Sequence, residues 1–213
     1  MSERLYAISD QIAGMPAPPD DPGYDVVPGN VIKMAIVLLS INPFTGATII
    51  TSNGWQTALT ADPLGVYITK YIDNFTIPAS EVIAEGGGDS TTWNGVRRVR
   101  ALNSVTGTGM ISGISHLEYK AMKKFISLSG NFQQGTRLGL IFFHEGTAIT
   151  ALSTGKAIPA YNIVVTDPPL GGKLGASFDV NISFDLPGGW ASDIGLFEAA
   201  AGFAPSNLEN APA

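Results

Sequence analysis

From Ala176 to Leu186 the chain alternates apolar and polar residues without a break. Ala176, Phe178, Val180, Ile182, Phe184 and Leu186 share one side of an extended chain, and Ser177, Asp179, Asn181, Ser183 and Asp185 share the other. Strand side chains change face with a period of two, so this run predicts a long strand with one face on a dry core and one on water. Its polar side carries two carboxylates and no cation. Further strands are predicted over 31–41 and 46–52, joined as a hairpin around Pro43 and Gly46. Residues 64–75 and 76–85 are β-rich, with Pro78 restricting the second run to an edge or bend. Residues 96–105 and the glycine-dense 106–114 read as strands suited to bulges or close backbone approach, and 136–143 and 159–166 complete the set.

One segment has helical character. Over 115–129, Ser115 and Glu118 form an S-x-x-E capping box, and Gly130 stands where a left-handed C-cap belongs. Leu117, Ala121, Phe125 and Leu128 are predicted as its apolar face, with Lys120, Lys123 and Lys124 projecting elsewhere. Residues 16–30, with five prolines, read as part of an N-terminal arm over 1–30. Residues 31–188 form the predicted domain, and 189–213 a second arm or a short helix. The expected fold class is mainly β: a β-sandwich or barrel with one flanking α-helix, extended arms and a long loop or hairpin.

Composition narrows what such a fold is for. Only 14% of the 213 residues are charged and 45% are hydrophobic, against about 25% charged in typical soluble domains. The surface is therefore expected to be covered, most simply by copies of the chain itself. The net charge of −6 is unevenly spread. Residues 1–95 hold three basic and ten acidic side chains, 96–137 hold seven and one, and 138–213 hold two and seven. A basic band between acidic stretches suits pairing between subunits, while the overall acidity argues against a dedicated nucleic-acid binder. No apolar run is long enough to span a bilayer, so no membrane insertion is expected, and no secretory leader is visible. With no cysteine, a disulfide framework and a cysteine zinc site are excluded.

Catalytic and ligand motifs along the chain are incomplete. His144-Glu145 lacks the second histidine of a zinc helix, and His116 is expected to face solvent, so no metal or cofactor is expected. The stretch 107–113 has one residue too many for a dinucleotide loop and no parallel βαβ context. Residues 153–157 resemble the end of a phosphate loop, but Thr150 and Ala157 occupy its glycine and hydroxyl positions. Residues 179–185 alternate oxygens as a calcium loop does, yet Phe184 and Trp190 stand where glycine and glutamate are required. No G-x-S-x-G elbow is present. The pattern is that of a building block, not an enzyme.

The order of elements carries a resemblance. Trp93, a basic strand over 96–105, the TGTGMISG strand, a helix over 115–129 and TRLGLIFF come first. NIVVTDPPLGGKLG and the alternating strand ending in Pro187-Gly188-Gly189 follow. This order, over roughly residues 93–188, resembles the tail tube proteins of tailed bacteriophages, whose fold is shared with contractile injection system tubes. The long arm before residue 30 and the elaborated region 53–92 depart from it. The resemblance implies hexameric rings stacked into a hollow conduit for DNA delivery, each subunit giving four strands to a continuous barrel, with a long hairpin and terminal arms bridging rings. Residues 53–62, 72–80 and 85–95 are the candidates for the stacking contact. About 24 strands at ~4.8 Å spacing and ~40° tilt enclose a bore of roughly 40 Å, wide enough for duplex DNA.

A conduit wall rich in lysine would trap a polyanion. Ser177, Asp179, Asn181, Ser183 and Asp185 are accordingly the expected lumen-facing residues, and Lys120, Lys123 and Lys124 the expected subunit-contact residues on the helix. Expected partners are copies of the chain, the tape measure, tail terminator and tail-tip proteins, a sheath if the tail contracts, and duplex DNA in transit without specific binding. The implied location is the virion tail, assembled in the host cytoplasm. The alternatives are a tail-tip or baseplate hub ring of the same fold, or a carbohydrate-binding β-sandwich whose aromatic platform would draw on Trp55, Trp93 and Trp190.

Overall fold

Two kinds of apolar pattern build two kinds of sheet. Strands whose run is continuously apolar are covered on both faces; those that alternate are covered on one. The computed structural model describes residues 29–62, 64–85, 98–128, 138–168 and 178–210. The fold is mainly β. Its strands are β1 (Val31–Leu38), β2 (Val66–Ile68), β3 (Ile72–Thr76), β4 (Val82–Glu85), β5 (Arg98–Leu102), β6 (Val105–Ile114), β7 (Leu138–His144), β8 (Ala148–Leu152), β9 (Ile158–Val165), β10 (Phe178–Leu186) and β11 (Ile194–Glu198). The helices are α1 (Ser52–Thr60) and α2 (His116–Leu128).

The first layer is antiparallel in the order β2–β1–β7–β8–β11, and the second in the order β3–β6–β10–β9. Two segments turn the corner between them. Strand β9 pairs with β7 through Ile158–Ala160 and with β10 through Tyr161–Val165. On the other side, Thr69 N–H bonds the Met34 carbonyl of β1 at 2.9 Å, and two residues later the Tyr71 carbonyl accepts from Ser112 N–H of β6 at 3.0 Å. The sandwich is thereby closed on both sides like a barrel. Asn162 (φ 49°) and Asn74 (φ 52°) each lie in a register shift of β9 and β3. Asparagine tolerates that left-handed backbone better than other non-glycine residues, which is what a bulge at a corner needs.

Between the layers, Met34, Ile36, Leu140 and Phe142 face Ile111, Val180, Ile182, Phe184 and Leu186. Helix α2 closes one mouth of this core with Tyr119, Met122 and Phe125. Its capping box forms as expected: Ser115 N–H donates to Glu118 Oε2 at 2.9 Å and Glu118 N–H to Ser115 Oγ at 3.3 Å. The buried stripe differs from the expected one. Ala121 is exposed and Leu117 is 79% exposed, because the chain enters from β6 at an angle that turns the 119–122–125 stripe onto Tyr67 and Phe178. Gly130 lies outside the described residues.

The far face of the first layer carries a second core. Ala35, Val37, Ile141, Phe143 and Ile149 pack beneath Phe44, Trp55 and Phe203. Here the expected hairpin of 31–41 with 46–52 is corrected, and so is the expectation of a single helix. Residues 46–50 are turns that lead into α1. Thr45 N–H bonds Thr48 Oγ1 at 2.8 Å, and Thr51 Oγ1 caps α1 by accepting from Gly54 N–H at 3.2 Å. Local hydroxyl bonds of this kind compete with a strand ladder despite the β-branched residues. Trp55 anchors α1, its indole donating to the Ile49 carbonyl at 2.7 Å and its rings meeting Phe44 and Phe143. The interval after β7, for which no strand was expected, holds β8. The stretch from 189, read as a short helix or an arm, supplies β11 at the sheet edge and buries Ala199, Phe203 and Pro205. Residues 1–28 of the predicted N-terminal arm lie outside the described residues.

His144 ties the first described residues to this body. Its Nδ1 donates to the Gly29 carbonyl at 2.6 Å, which leaves Nε2 to accept from Thr150 Oγ1 at 2.7 Å. Burial pushes this imidazole below 6.5, outweighing the Gly29 carbonyl, which favours the charged form. The unfolded chain therefore takes up the proton first, and stability that is complete above about pH 6.5 declines as pH falls below it. Urea midpoints measured from pH 7.5 to 5 are expected to fall over that window, and His144→Gln to flatten the decline. A second expectation concerns Gly107, where any Cβ would lie 2.4 Å from the Phe184 ring. Gly107→Ala should destabilise the fold by about 1–3 kcal/mol in denaturant titration, since a buried ring must shift.

Candidate functional site

The outward face of the β3–β6–β10–β9 layer is a polar surface built by four strands. Inward-facing Val180, Ile182, Phe184 and Leu186 fix which side of β10 is wet, so Asp179 and Asn181 are exposed and Ser183 and Asp185 half-buried on the other side. Ser177 lies outside the described residues. The registers then line up cross-strand rows. Asp73, Met110 and Asn181 make one, extended by Thr166 beyond β9, whose Oγ1 accepts from Asn181 N–H at 3.0 Å. Thr76, Thr108, Ser183 and Val164 make the next. Thr106, Asp185 and Tyr161 make the third.

Side-chain hydrogen bonds knit the rows together. Asp185 accepts from Thr106 Oγ1 on one oxygen and from Asn162 Nδ2 on the other, both at 2.7 Å. Thr76 and Thr108 share a bond of 3.1 Å, Ser112 donates to Asp73, and Gly113 N–H donates to Asp179 Oδ1 at 3.0 Å. None of the four strands contains a lysine or arginine. The face therefore offers carboxylate, hydroxyl and amide groups, and its carboxylates are met by uncharged donors. Sequence reading missed the contributions of β3, β6 and β9. The signal lay in TGTGMIS, where Gly107 and Gly109 hide an alternation: both point inward beneath Phe184 and Ile72, and Thr106 and Thr108 point outward.

The three helix lysines divide. Lys120, Lys123 and Lys124 are all exposed on α2. Lys123 is committed within the subunit, bonding Asp167 and donating to Tyr119 Oη at 2.9 Å, while Tyr119 Oη donates to Asp167 at 2.5 Å. Lys120 and Lys124 have no ion-pair partner among the described residues, and with Leu117 and Ala121 they form an outward stripe. A further surface is the isolated β4–β5 ribbon. Every residue in both strands is exposed, including Val82, Ile83 and Leu102, with Val99 at 68%. Arg100 pairs with Glu85 across it.

Among the described residues no three His, Asp or Glu side chains come together as a metal site requires. No described helix is long and apolar enough to cross a membrane. Trp55 is fully buried, Trp190 packs partly against the core, and Trp93 lies outside the described residues, so no aromatic platform forms among the described tryptophans.

No protein-family model matches the chain, and no curated protein does. Among solved structures, one similar chain belongs to the tail of an empty GTA (gene transfer agent) particle of C6 symmetry, a phage-like tail. The two are 13% identical with a TM-score of 0.31, over 61% of this chain and 82% of that one.

Proposed function

We propose that the chain is a non-enzymatic structural subunit of a phage-type tail tube, forming hexameric rings that stack into a conduit for DNA. The observation that carries this reading is the cation-free polar face of β3, β6, β10 and β9. Four strands per subunit is the share that the resemblance to tail tube proteins implies. A wall of hydroxyls, amides and carboxylates lets a polyanion pass where a basic wall would hold it by counterion release. In this reading Asp179, Asn181, Ser183 and Asp185 line the bore, joined by Asp73, Thr76, Thr106 and Thr108. Lys120, Lys124 and Leu117 meet a neighbouring subunit.

The β4–β5 ribbon is the ring-to-ring element in this reading. A two-stranded ribbon is marginal alone in water, and this one exposes valine, isoleucine and leucine side chains that a neighbouring ring would cover. Of the stacking candidates, 86–95 lies outside the described residues, while 53–62 is mostly α1 and 72–80 begins as β3, and both of these elements belong to the subunit body. The buried Trp55 cannot contribute to the aromatic platform of the carbohydrate-binding alternative.

Electron microscopy of the purified chain is the direct test. Stacked hexameric rings with the polar face on the bore are expected; isolated rings would move the assignment to a tail-tip or hub ring, and monomers at high concentration would defeat both. Charge reversal provides a functional readout. Tubes carrying Asp179→Lys and Asn181→Lys are expected to retain short duplex DNA at low salt about tenfold or more above the original tubes. The excess should disappear as salt rises.

A further inference from the structure

The first layer ends in two strand edges, and they are treated differently. Leu38 N–H bonds the Gly65 carbonyl at 2.8 Å and Thr69 N–H the Met34 carbonyl at 2.9 Å, so residues 65 and 69 turn their backbone groups toward β1. By the two-residue alternation of an antiparallel pair, Val66 and Ile68 turn theirs away. At Ile68 that outward pair is occupied by a side chain. Asn210 Oδ1 accepts from Ile68 N–H at 2.7 Å and Asn210 Nδ2 donates to the Ile68 carbonyl at 2.6 Å. One primary amide thus reproduces both hydrogen bonds that a residue of an added strand would make.

The opposite edge is open. Ser153 N–H bonds the Asp193 carbonyl at 2.9 Å and Ala199 N–H the Thr147 carbonyl at 3.0 Å, so the same alternation turns the backbone groups of Ile194, Leu196 and Glu198 away from β8. No other strand pairs with β11 among the described residues, and Leu196 is 39% exposed. An exposed apolar edge is a template for another chain.

We propose that the outer edge of β2 is a docking site for β11 of a second copy of this chain, closed in the free subunit by the strap that carries Asn210. Beyond the buried Phe203 and Pro205, residues 208–210 of this strap are held by Asn210, by Leu208 packing partly against the second core, by Lys33 Nζ donating to the Leu208 carbonyl at 3.2 Å, and by a pair of Lys70 with Glu209 at 3.7 Å. Charge supports β11 as the replacement. Glu198, exposed on β11, has no ion pair among the described residues, and Lys70, which keeps its pair with Glu118 at 3.1 Å, could take Glu198 in place of the more distant Glu209. Pairing one edge with the opposite edge of the next copy is head-to-tail, and it yields a ring wherever the rotation closes. The proposal shares with the tail tube reading only the premise of self-association.

Sedimentation velocity of the full chain tests it. Asn210→Ala removes the competing amide and should tighten self-association about tenfold. Leu196→Pro deletes an outward N–H without touching a β8 bond, and should abolish that gain in the same chain. If Leu196→Pro lowers the melting temperature sharply, Ile194→Lys with Leu196→Lys guards the same edge by charge. Unchanged or weaker association of Asn210→Ala, or a gain that survives both β11 variants, overturns the proposal. Microscopy of the same samples separates it from the tube reading. Rings or tubes formed by the β11 variants would refute the docking site and leave the tube intact. A β11-dependent gain in a chain that never forms rings would do the reverse.

Discussion

The contact of Phe184 with Gly107 is the constraint on which the rest of the structure hangs. The two residues are cross-strand partners, and the phenylalanine ring lies over the glycine in the space a Cβ would fill. The same ring meets Phe75 of β3 and Phe142 of β7, so one side chain ties three strands across both layers. Burying such a ring is worth about 1.5–3 kcal/mol in transfer terms. Its larger consequence is register. A slip of β10 by one residue would bring Asp185 to this position and turn every carboxylate of the strand into the core. The polar face therefore follows from the parity of β10, which the phenylalanine seated over Gly107 helps to fix.

The two layers then take opposite fates from the same physics. The first is covered on one side by its partner layer and on the other by α1, Phe44 and the chain around Phe203, so its central strands β1 and β7 are almost wholly buried. The second has a single covered side, and its outward side chains have to be polar. Because β9 and the β2–β3 corner close the sandwich laterally, the body needs no partner to complete its core. What it leaves at the surface is the polar face, the outward stripe of α2, the β4–β5 ribbon and the edge of β11.

How much of this was readable in the sequence follows from where each signal was local. The alternation of 176–186 fixed β10 and its wet side, because a period of two over eleven positions has one structural solution. The capping box of α2 was equally local, and both its hydrogen bonds form. The buried stripe of α2 was not, since the 117–121–125 spacing and the 119–122–125 spacing are both helical and only the packing partner chooses between them. GATIITS was misread because β-branched residues vote for strand, whereas Thr45, Thr48 and Thr51 spend their hydroxyls on turns and a helix cap. The full polar face stayed hidden for a similar reason. Glycines interrupt a hydrophobic pattern on paper, yet Gly107 and Gly109 occupy apolar positions, emptied so that Phe184 and Ile72 can fill them.

The hydrogen-bond ladder on that face also refines what makes a surface inert toward a polyanion. Absence of lysine and arginine removes the long-range attraction. Short-range binding would still be open to a surface of free hydroxyl and amide donors, which contact phosphate in many nucleic-acid complexes. Here several of the donors are spent. Thr106 and Ser112 direct their hydroxyl hydrogens to Asp185 and Asp73, Asn162 gives one N–H to Asp185, and the Gly113 amide is taken by Asp179. A hydroxyl has one hydrogen, and once it is committed to a carboxylate only lone pairs remain to face outward. The carboxylates thus act twice, by their own charge and by consuming the neighbouring donors. Replacing them with asparagine would keep the bulk of each side chain and introduce amide donors, so the face would lose both effects together.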